Sequence, residues 1–369
     1  MNSIALIAFT DRGCSLACDI AAGLAGVSSY RECRFALYAP ERFGARWGME
    51  PYGELAAWAA EHFAADDALV FVGASGIAVR TIAPHVKDKF TDPAVVSVDE
   101  AGRFAVPLLS GHVGGANNLA RAIAAITGGS AAISTATDVN GLFAVDEWAA
   151  RNGMCIVERA EALRISSRLL EGGEVGFVSD FDFDWELPAG VVDCGKPADT
   201  ARCGTFADAD SCACDVGFAV SLDDTVQPFE HTLHLVPRIV TVGVGCRRNA
   251  DSAVLEQAVD RALETAHVSG RAVRMLASID VKQDERAIWN LAESRGWHLR
   301  FYTAEQLNAV PGEFTASEFV RKTVGVDNVC ERAALAQGGT LVLGKQPSDG
   351  TTVALAVDDS WTQAAKVEA

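Results

Sequence analysis

Basic residues are scarce in this sequence. Its 369 residues include 31 Lys and Arg against 49 Asp and Glu, which gives a formal net charge of -18. DNA, RNA and anionic membranes also carry negative charge, so most of this surface would repel them. We therefore predict no nucleic-acid partner and no membrane partner. We expect an anionic small molecule to bind only where basic side chains cluster.

Long apolar runs are also absent. None approaches the roughly 18 residues that indicate a membrane-spanning helix. The first apolar run covers only Ile4 to Phe9, with no basic residue ahead of it, which predicts a first β-strand and not an export signal. The ten cysteines are therefore expected to be reduced thiols in a cytoplasmic protein.

The order of apolar runs and helix-like stretches predicts an α/β protein. Short runs such as IALIAF, ALVFVG and AVVSVD alternate with amphipathic stretches such as YGELAAWAAEHFA, which is typical of a largely parallel sheet. The chain is 49% hydrophobic and long enough for two or three domains. We predict amino-terminal and carboxyl-terminal α/β domains with largely parallel sheets over 1–150 and 237–369, joined by a variable, acidic, cysteine-bearing middle region over 151–236.

One turn combines a histidine with several glycines. In LLSGHVGGANNLARAIAAITGG, residues 108–129, apolar residues at helical spacing predict a helix that starts near Gly115 or Ala116. Backbone amides at such a start favour an anion, and a histidine can transfer protons near neutral pH. The turn is either a catalytic site or a tight strand-to-helix connection with an ordinary histidine. Its candidate residues are Ser110, Gly111, His112, Gly114, Gly115 and Asn117.

A second turn places Gly76 and Arg80 in a helix that follows a buried strand, in VGASGIAVRT. Ligands of open α/β sheets tend to bind at the carboxyl ends of strands. This rule points both to the turn before Gly76 and to the turn at 111–115.

A third stretch, STATDVNGLFAVDEWA, supplies polar residues that include Thr137, Asp138 and Glu147. Aspartate is a common helix cap, which is one interpretation of Asp138. The other interpretation is a carboxylate that orients His112 or acts as a base.

The second half supplies basic residues at strand ends. Arg247 and Arg248 follow the predicted strand RIVTVGVG, and Lys282 follows AVRMLASID. They either bind carboxylates or are ordinary surface cations.

VTVGVGCRRN begins like a dinucleotide-binding fingerprint, but Asn249 stands where the third glycine belongs. No metal site is predicted, because the cysteines lack paired C-x-x-C spacing and the histidines of HTLH lie on a strand.

The longest motifs resemble one known family. GASGIAVRTIAPHVKDKFTDPAVVSVDEAGRFAVPLLSGHVGGANNLARAIAAITGGSAAISTATDVNG is similar to the amino-terminal domain of the CbiG family, the cobalt-precorrin-5A hydrolases of anaerobic cobalamin biosynthesis. VGVGCRRN, SIDVKQDE, FVRKTVGVDNVCERAAL and LVLGKQPSDGTTVALA resemble its carboxyl-terminal domain. The chain departs from the family at Asn249, where a glycine is usual, and in STATD, where the family has TTATD.

The resemblance implies hydrolytic opening of the δ-lactone of cobalt-precorrin-5A and release of acetaldehyde to give cobalt-precorrin-5B. The cobalt belongs to the substrate, so no cofactor of the enzyme's own is implied. For this chemistry we predict His112 as general base, Asp138 as its orienting carboxylate and the amides of 111–115 as oxyanion donors. The predicted substrate-binding residues are Gly76, Arg80, Ser110, Gly111, Gly114, Gly115, Asn117, Thr137, Arg247, Arg248 and Lys282.

Two other functions fit the same residues. A non-catalytic tetrapyrrole-binding or carrier module would use the glycine turns and basic residues without a titratable group. A nucleotide-binding regulator would use GVGCRRN. The sequence leaves open whether the protein contacts neighbouring pathway enzymes and whether it forms a homodimer.

Overall fold

Two compact units make up the chain, Met1–Glu147 and Trp148–Ala369. The computed structural model describes residues 1–88, 91–112, 114–135, 140–183, 186–196 and 214–361. Within these residues, the first unit contains a seven-stranded sheet and the second contains two five-stranded sheets. In the same part of the chain, no helix is both long and apolar enough to cross a membrane.

The first unit is a sheet with apolar clusters on both faces. Ile4 and Leu6 belong to one cluster and Ala5 and Ile7 to the other, because successive side chains of a strand point to opposite faces. The strands are β1 Ser3–Ala8, β2 Arg34–Ala39, β3 Glu50–Pro51, β4 Ala68–Val72, β5 Ala94–Val98, β6 Phe104–Leu109 and β7 Ser130–Ala131. The helices are α1 Asp11–Gly26, α2 Glu41–Trp47, α3 Leu55–Ala65, α4 Ser75–Ile82 and α5 Ala116–Thr127, and helix α6 Val145–Arg151 contains the last residues of this unit and the first of the next.

One strand reverses the direction of this sheet. In the order β3-β2-β1-β4-β5-β6-β7, the strands β1 to β5 are parallel. β6 runs antiparallel to β5, with Leu109 opposite Val95, and β7 is parallel to β6. The carboxyl ends of β6 and β7 therefore lie at the edge of the sheet where β1, β4 and β5 begin.

The middle of the chain forms its own sheet, in the order β10-β9-β11-β12-β8. Its sequence showed no clear periodicity, yet β9 and β11 are buried along their whole length. The strands are β8 Met154–Ile156, β9 Val175–Ser179, β10 Val191–Asp193, β11 Val216–Val220 and β12 His231–Pro237, and helix α7 spans Arg159–Leu170.

The carboxyl-terminal sheet has the order β15-β14-β13-β17-β16. β13, β14 and β15 are parallel, whereas β17 is antiparallel to both of its neighbours. The strands are β13 Val240–Cys246, β14 Val273–Ile279, β15 His298–Tyr302, β16 Thr340–Ser348 and β17 Thr351–Val357. The helices are α8 Ser252–Ala266, α9 Arg286–Arg295, α10 Ala304–Ala309, α11 Glu318–Val324 and α12 Cys330–Leu335.

These sheets confirm the predicted α/β class with largely parallel terminal sheets. Two helix ends follow from the local sequence. Gly296 follows the helical pattern DERAIWNLAESR and ends α9 in the left-handed conformation, and Thr303 directly precedes a short helix and caps α10. The prediction of reduced thiols is wrong at Cys194, which is disulfide-bonded. The predicted domain boundaries at residues 150 and 236 stay predictions.

Gly243 has a packing role that its fingerprint-like motif did not predict. A Cβ at this position would overlap Cys330 O and lie 2.7 Å from Ala334 N, so α12 can pack against β13 only because residue 243 has no side chain. The glycine therefore serves the contact between helix and strand, and this contact accounts for it without a nucleotide.

We expect Gly243→Ala to lower the free energy of unfolding by about 1–3 kcal/mol, because the added methyl group must push α12 away from β13. Urea denaturation measures the change. Gly270→Ala is the matched control, since a Cβ at Gly270 meets nothing within 4 Å. Equal stability of the two variants would contradict the packing role of Gly243.

Candidate functional site

The turn after β6 holds its residues in a fixed conformation. Ser110 has φ 55° and its hydroxyl donates a 2.9 Å hydrogen bond to Asp92 O. A Cβ at Gly114 would overlap Ser110 Cβ and lie 2.9 Å from Ser110 O, and Gly115 has φ 81°. Ser110, Gly114 and Gly115 thus build the turn that places His112 ahead of α5.

His112 is paired with a carboxylate. Its Nδ1 atom lies 3.1 Å from Glu147 Oε2, and Asn118 Nδ2 donates a 2.9 Å hydrogen bond to Glu147 Oε1. The side chains of His112 and Glu147 are 17% and 11% exposed. An ionised carboxylate only accepts hydrogen bonds, so with Glu147 ionised we expect the imidazole hydrogen on Nδ1 and the lone pair of the ring on Nε2.

Glu147 is the carboxylate that sequence reasoning did not select. The predicted partner, Asp138, lies outside the described residues, as does Thr137, so their roles stay predictions. Glu147 lies in the first turn of α6, 35 residues from His112. The stretch that contains it was recognised as polar, but no spacing rule connects a carboxylate in one turn to a histidine that far away.

Three backbone amides at the start of α5 are already engaged. Gly115 N donates to His112 O at 2.9 Å, Ala116 N donates to Ser110 O at 3.1 Å, and Asn117 N donates to Gly111 O at 3.0 Å. The amide of Gly115 is therefore engaged within the turn. That the amides of 111–115 act as anion donors stays a prediction.

Asn117 belongs to the interior of this region. Its side chain is buried, and Nδ2 donates a 3.0 Å hydrogen bond to Thr135 Oγ1, in the segment after β7. A Cβ at Gly111 would lie 2.8 Å from Asn117 Oδ1, so the two residues pack closely. Asn117 thus joins the segments that follow β6 and β7.

Gly76 and Arg80 lie at the opposite edge of the sheet. They follow the carboxyl end of β4, whereas the 111–115 turn follows β6, which runs the other way. Both residues are exposed, and Arg80 Nη1 donates to Gly76 O of its own helix at 3.3 Å. The reversal at β6 therefore separates two turns that the strand-end rule grouped together.

A cavity of about 400 Å³ next to Gly114 is unsuited to an anionic ligand. Asp66, Asp67 and Asp92 line it, together with Met1, the end of α3 and the segment before β5. Carboxylates here would repel the acetate and propionate arms that a tetrapyrrole carries. The lining of this cavity therefore disfavours such a ligand.

The three basic residues of the second unit that we predicted to bind substrate differ in whether their charge already has an acidic partner. Arg247 and Arg248 are exposed after β13 and form no ion pair with any residue that the structure describes. Lys282 Nζ lies 3.6 Å from Glu285 Oε2, and its side chain is only 15% exposed. Glu285 also accepts hydrogen bonds from Asn249 N at 3.2 Å and Ala250 N at 3.0 Å. Lys282 is thus part of a local network, while the two arginines can reach a ligand.

The described residues hold no group suited to a metal ion, and two of their cysteines are disfavoured as nucleophiles. No group of three His, Cys, Asp or Glu among them could hold a metal ion. His234 is buried, with Nδ1 2.9 Å from Glu158 Oε1 and Nε2 2.6 Å from Val226 O. Burial raises the pKa of Cys330 to about 11 and also raises the pKa of Cys246, which disfavours their thiolate forms.

Comparison with known proteins agrees with the resemblance seen in the sequence. Residues 57–138 match the family model for the cobalamin synthesis G N-terminal domain, and residues 240–356 match the model for the cobalamin synthesis G C-terminus. The chain is 34% identical to the cobalt-precorrin-5A hydrolase of Salmonella typhimurium over 361 residues, which are 96% of this chain and 98% of that protein. This chain belongs to the CbiG family.

Two more distant relatives carry similar names. A cobalt-precorrin-5A hydrolase of Priestia megaterium is 29% identical over 78% of both chains. A probable cobalt-precorrin-5A hydrolase of Methanocaldococcus jannaschii is 27% identical over 79% of this chain and 85% of that protein. The CbiG family assignment therefore covers both units.

We expect Glu147→Gln to shift the neutral imidazole of His112 toward the tautomer with hydrogen on Nε2, because a glutamine amide group can donate to Nδ1. Nitrogen-15 chemical shifts of histidine-labelled protein measure the tautomer. Glu161→Gln is the matched control, because Glu161 lies 3.6 Å from His231 Nδ1 in the middle sheet. An Nε2 hydrogen on His112 in the unaltered protein would contradict the assignment.

Proposed function

We propose that this protein is a cobalt-precorrin-5A hydrolase of cobalamin biosynthesis, with His112 as its general base. The relationship to a hydrolase of nearly the same length at 34% identity supports the reaction. The contact between His112 Nδ1 and Glu147 Oε2 supports the residue, because it prepares Nε2 to accept a proton.

Lactone opening is the first step. Nε2 of His112 takes a proton from water, and the oxygen adds to the lactone carbonyl to form a tetrahedral oxyanion. Collapse of this intermediate breaks the bond between the carbonyl carbon and the ring oxygen, which leaves a carboxylic acid and a hydroxyl group on the macrocycle. The imidazolium returns the proton as the ring oxygen departs, and Glu147 stabilises its positive charge until then. The carboxylic acid then releases its own proton to water and becomes a carboxylate.

Loss of acetaldehyde is the second step. The new hydroxyl group gives up its proton while the carbon-carbon bond to the macrocycle breaks. The hydroxyl-bearing two-carbon fragment leaves as acetaldehyde, and the electron pair of the broken bond stays on the conjugated macrocycle. Water is consumed in the first step only, so one acetaldehyde forms for each lactone opened. His112 is the base in both steps.

Substrate binding in this proposal uses arginines. An acidic chain needs positive charge where the acetate and propionate arms of the macrocycle bind, and Arg247 and Arg248 are exposed without an ion pair in the described part of the chain. Arg80 and Gly76 are weaker candidates, because the Arg80 guanidinium donates a hydrogen bond to Gly76 O in its own helix.

Cobalt enters with the substrate, and the proposal includes no other cofactor. A cytoplasmic location remains a prediction, and the proposal requires neither a homodimer nor contacts with neighbouring pathway enzymes.

His112→Ala should lower kcat by about 100- to 10,000-fold, because the reaction loses its general base, while substrate binding should change little. Acetaldehyde is measured with a coupled dehydrogenase under anaerobic conditions, and the corrinoid mass is followed in parallel. His298→Ala, at an exposed histidine of β15, is the matched control.

Wild-type turnover by His112→Ala would reject His112 as the base and leave the hydrolase intact. Binding of cobalt-precorrin-5A by the unaltered protein without acetaldehyde or mass loss would reject the hydrolase. That result would favour the carrier function.

Glu147→Gln should lower kcat by on the order of 100-fold with little change in KM, because the imidazole then favours the unproductive tautomer. Glu147→Asp should recover part of the activity, since it restores a charged acceptor on a shorter side chain. Glu161→Gln again serves as control. A rise in KM with unchanged kcat, or no recovery of activity with aspartate, would indicate that Glu147 only supports the fold.

A further inference from the structure

We propose that the carboxyl edge of the β13-β14-β15 sheet is a binding face for a flat, anionic macrocycle. Trp289 and Val281 contact the ring, and Arg247 and Arg248 pair with its carboxylate arms. The identity of the ligand rests on the proposed function, whereas the face itself rests on exposure, charge and spacing.

The apolar part of this face is open to solvent. Val281 is 61% exposed and Trp289 is 52% exposed. The indole Nε1 of Trp289 donates a 2.6 Å hydrogen bond to Gln283 O, and its ring lies 6.1 Å from the ring of Phe301. Because the indole N–H already has a partner, the exposed part of Trp289 offers an apolar aromatic surface.

The basic part is held beside it by the hairpin between β16 and β17. Arg247 N donates to Gly350 O at 3.0 Å. Gly350 has φ 81°, and a Cβ there would lie 3.0 Å from Arg247 Cδ, so the arginine stem packs directly over the glycine. The stem of Arg247 is thus fixed while its guanidinium stays exposed, and Arg248 is exposed next to it.

The spacing joins the two parts into one face. β13, β14 and β15 are adjacent and parallel, so the segments after them meet at one edge. Arg247 and Arg248 follow β13, Val281 follows β14, and Trp289 contacts Phe301 on β15. Neighbouring strands are 4.7–4.9 Å apart, so the distance from β13 across β14 to β15, which sets the width of the face, is about 10 Å.

A contact network fixes α9 against this edge. Glu285, directly before α9, accepts the amides of Asn249 and Ala250, which follow the two arginines. Trp289 is four residues further on and therefore lies on the same side of the helix as Glu285. The aromatic and basic groups are thus parts of one rigid edge.

The chemistry favours a carboxylated macrocycle over a nucleotide. The guanidinium group of arginine can donate two parallel hydrogen bonds to a carboxylate or a phosphate, and the face of an indole ring packs on a flat conjugated ring. A phosphate would also need the backbone amides between β13 and α8. Glu285 occupies those of Asn249 and Ala250, and the Asp251 side chain accepts Ala253 N at 2.8 Å. A negative carboxylate at this helix start opposes a bound phosphate.

Binding of cobyrinic acid, a cobalt corrin with free carboxylate arms, tests the face without turnover. Calorimetry and quenching of tryptophan fluorescence give the affinity for the full-length protein. We expect Trp289→Ala to weaken binding about 10-fold. The double variant Arg247→Gln and Arg248→Gln should weaken it by on the order of 100-fold. Binding of the fully methyl-esterified corrin should be insensitive to the arginine changes.

Matched controls separate the face from general surface effects. Val281→Ser should weaken binding, whereas Val342→Ser should not, because Val342 is also exposed but lies on β16 at the other end of the sheet order. Arg261→Gln, at an exposed position of α8, should leave binding unchanged.

Unchanged binding in Trp289→Ala and in the double arginine variant would overturn the face, even if acetaldehyde is still produced. Loss of binding in these variants would support the face, even if the unaltered protein makes no acetaldehyde and the hydrolase proposal fails. Conversion of a dimer to a monomer by Trp289→Ala, with corrin affinity unchanged, would assign the surface to self-association and overturn the proposal.

Discussion

The reversal of chain direction between β5 and β6 determines which polar residues of the first unit can meet. Asp99 holds this hairpin, since its carboxylate accepts hydrogen bonds from Ala101 N at 2.9 Å and Phe104 N at 2.7 Å. Partial burial acts to raise the pKa of Asp99, but those amides and the charge of Arg103 outweigh it and lower the pKa. The carboxylate therefore stays ionised and keeps the turn closed. As a result, His112 emerges at the edge where β1, β4 and β5 begin, away from Gly76 and close to the segment after β7.

The sequence predicted those features that depend on local periodicity. The start of α5 at Ala116 and the caps at Gly296 and Thr303 follow from residues within one or two turns of helix. The direction of β6 also has a sequence signal, because the stretch between Val98 and Phe104 is too short for a parallel crossover and is typical of a hairpin turn. The pairing of His112 with Glu147 also depends on where α6 lies, which no local pattern gives, so the sequence could only indicate that a carboxylate was available.

Charge balance explains which arginines can serve a ligand. With 49 acidic and 31 basic residues, a cation in this chain readily finds an acidic partner, as Arg274 does with Asp358 and Arg332 with Asp327. Both pairs help to lower the pKa of their aspartates. Arg247 and Arg248 have no such partner among the described residues, because Glu285, the acid beside their loop, is already used by Lys282 and two backbone amides. The same network that pairs Lys282 with Glu285 thus leaves the arginines available, and the binding role of Lys282 stays a prediction.

The two steps of the proposed reaction use His112 in turn. In lactone opening the imidazole takes a proton from water and returns it to the departing ring oxygen, so His112 is neutral again when the carbon-carbon cleavage begins. In the cleavage the imidazole accepts the hydroxyl proton, and it must lose that proton before the next turnover. A side chain that is 17% exposed retains contact with solvent, so water can remove this proton. Partial burial of the pair thus serves two needs, because it holds His112 against Glu147 and still lets solvent return the imidazole to its neutral form.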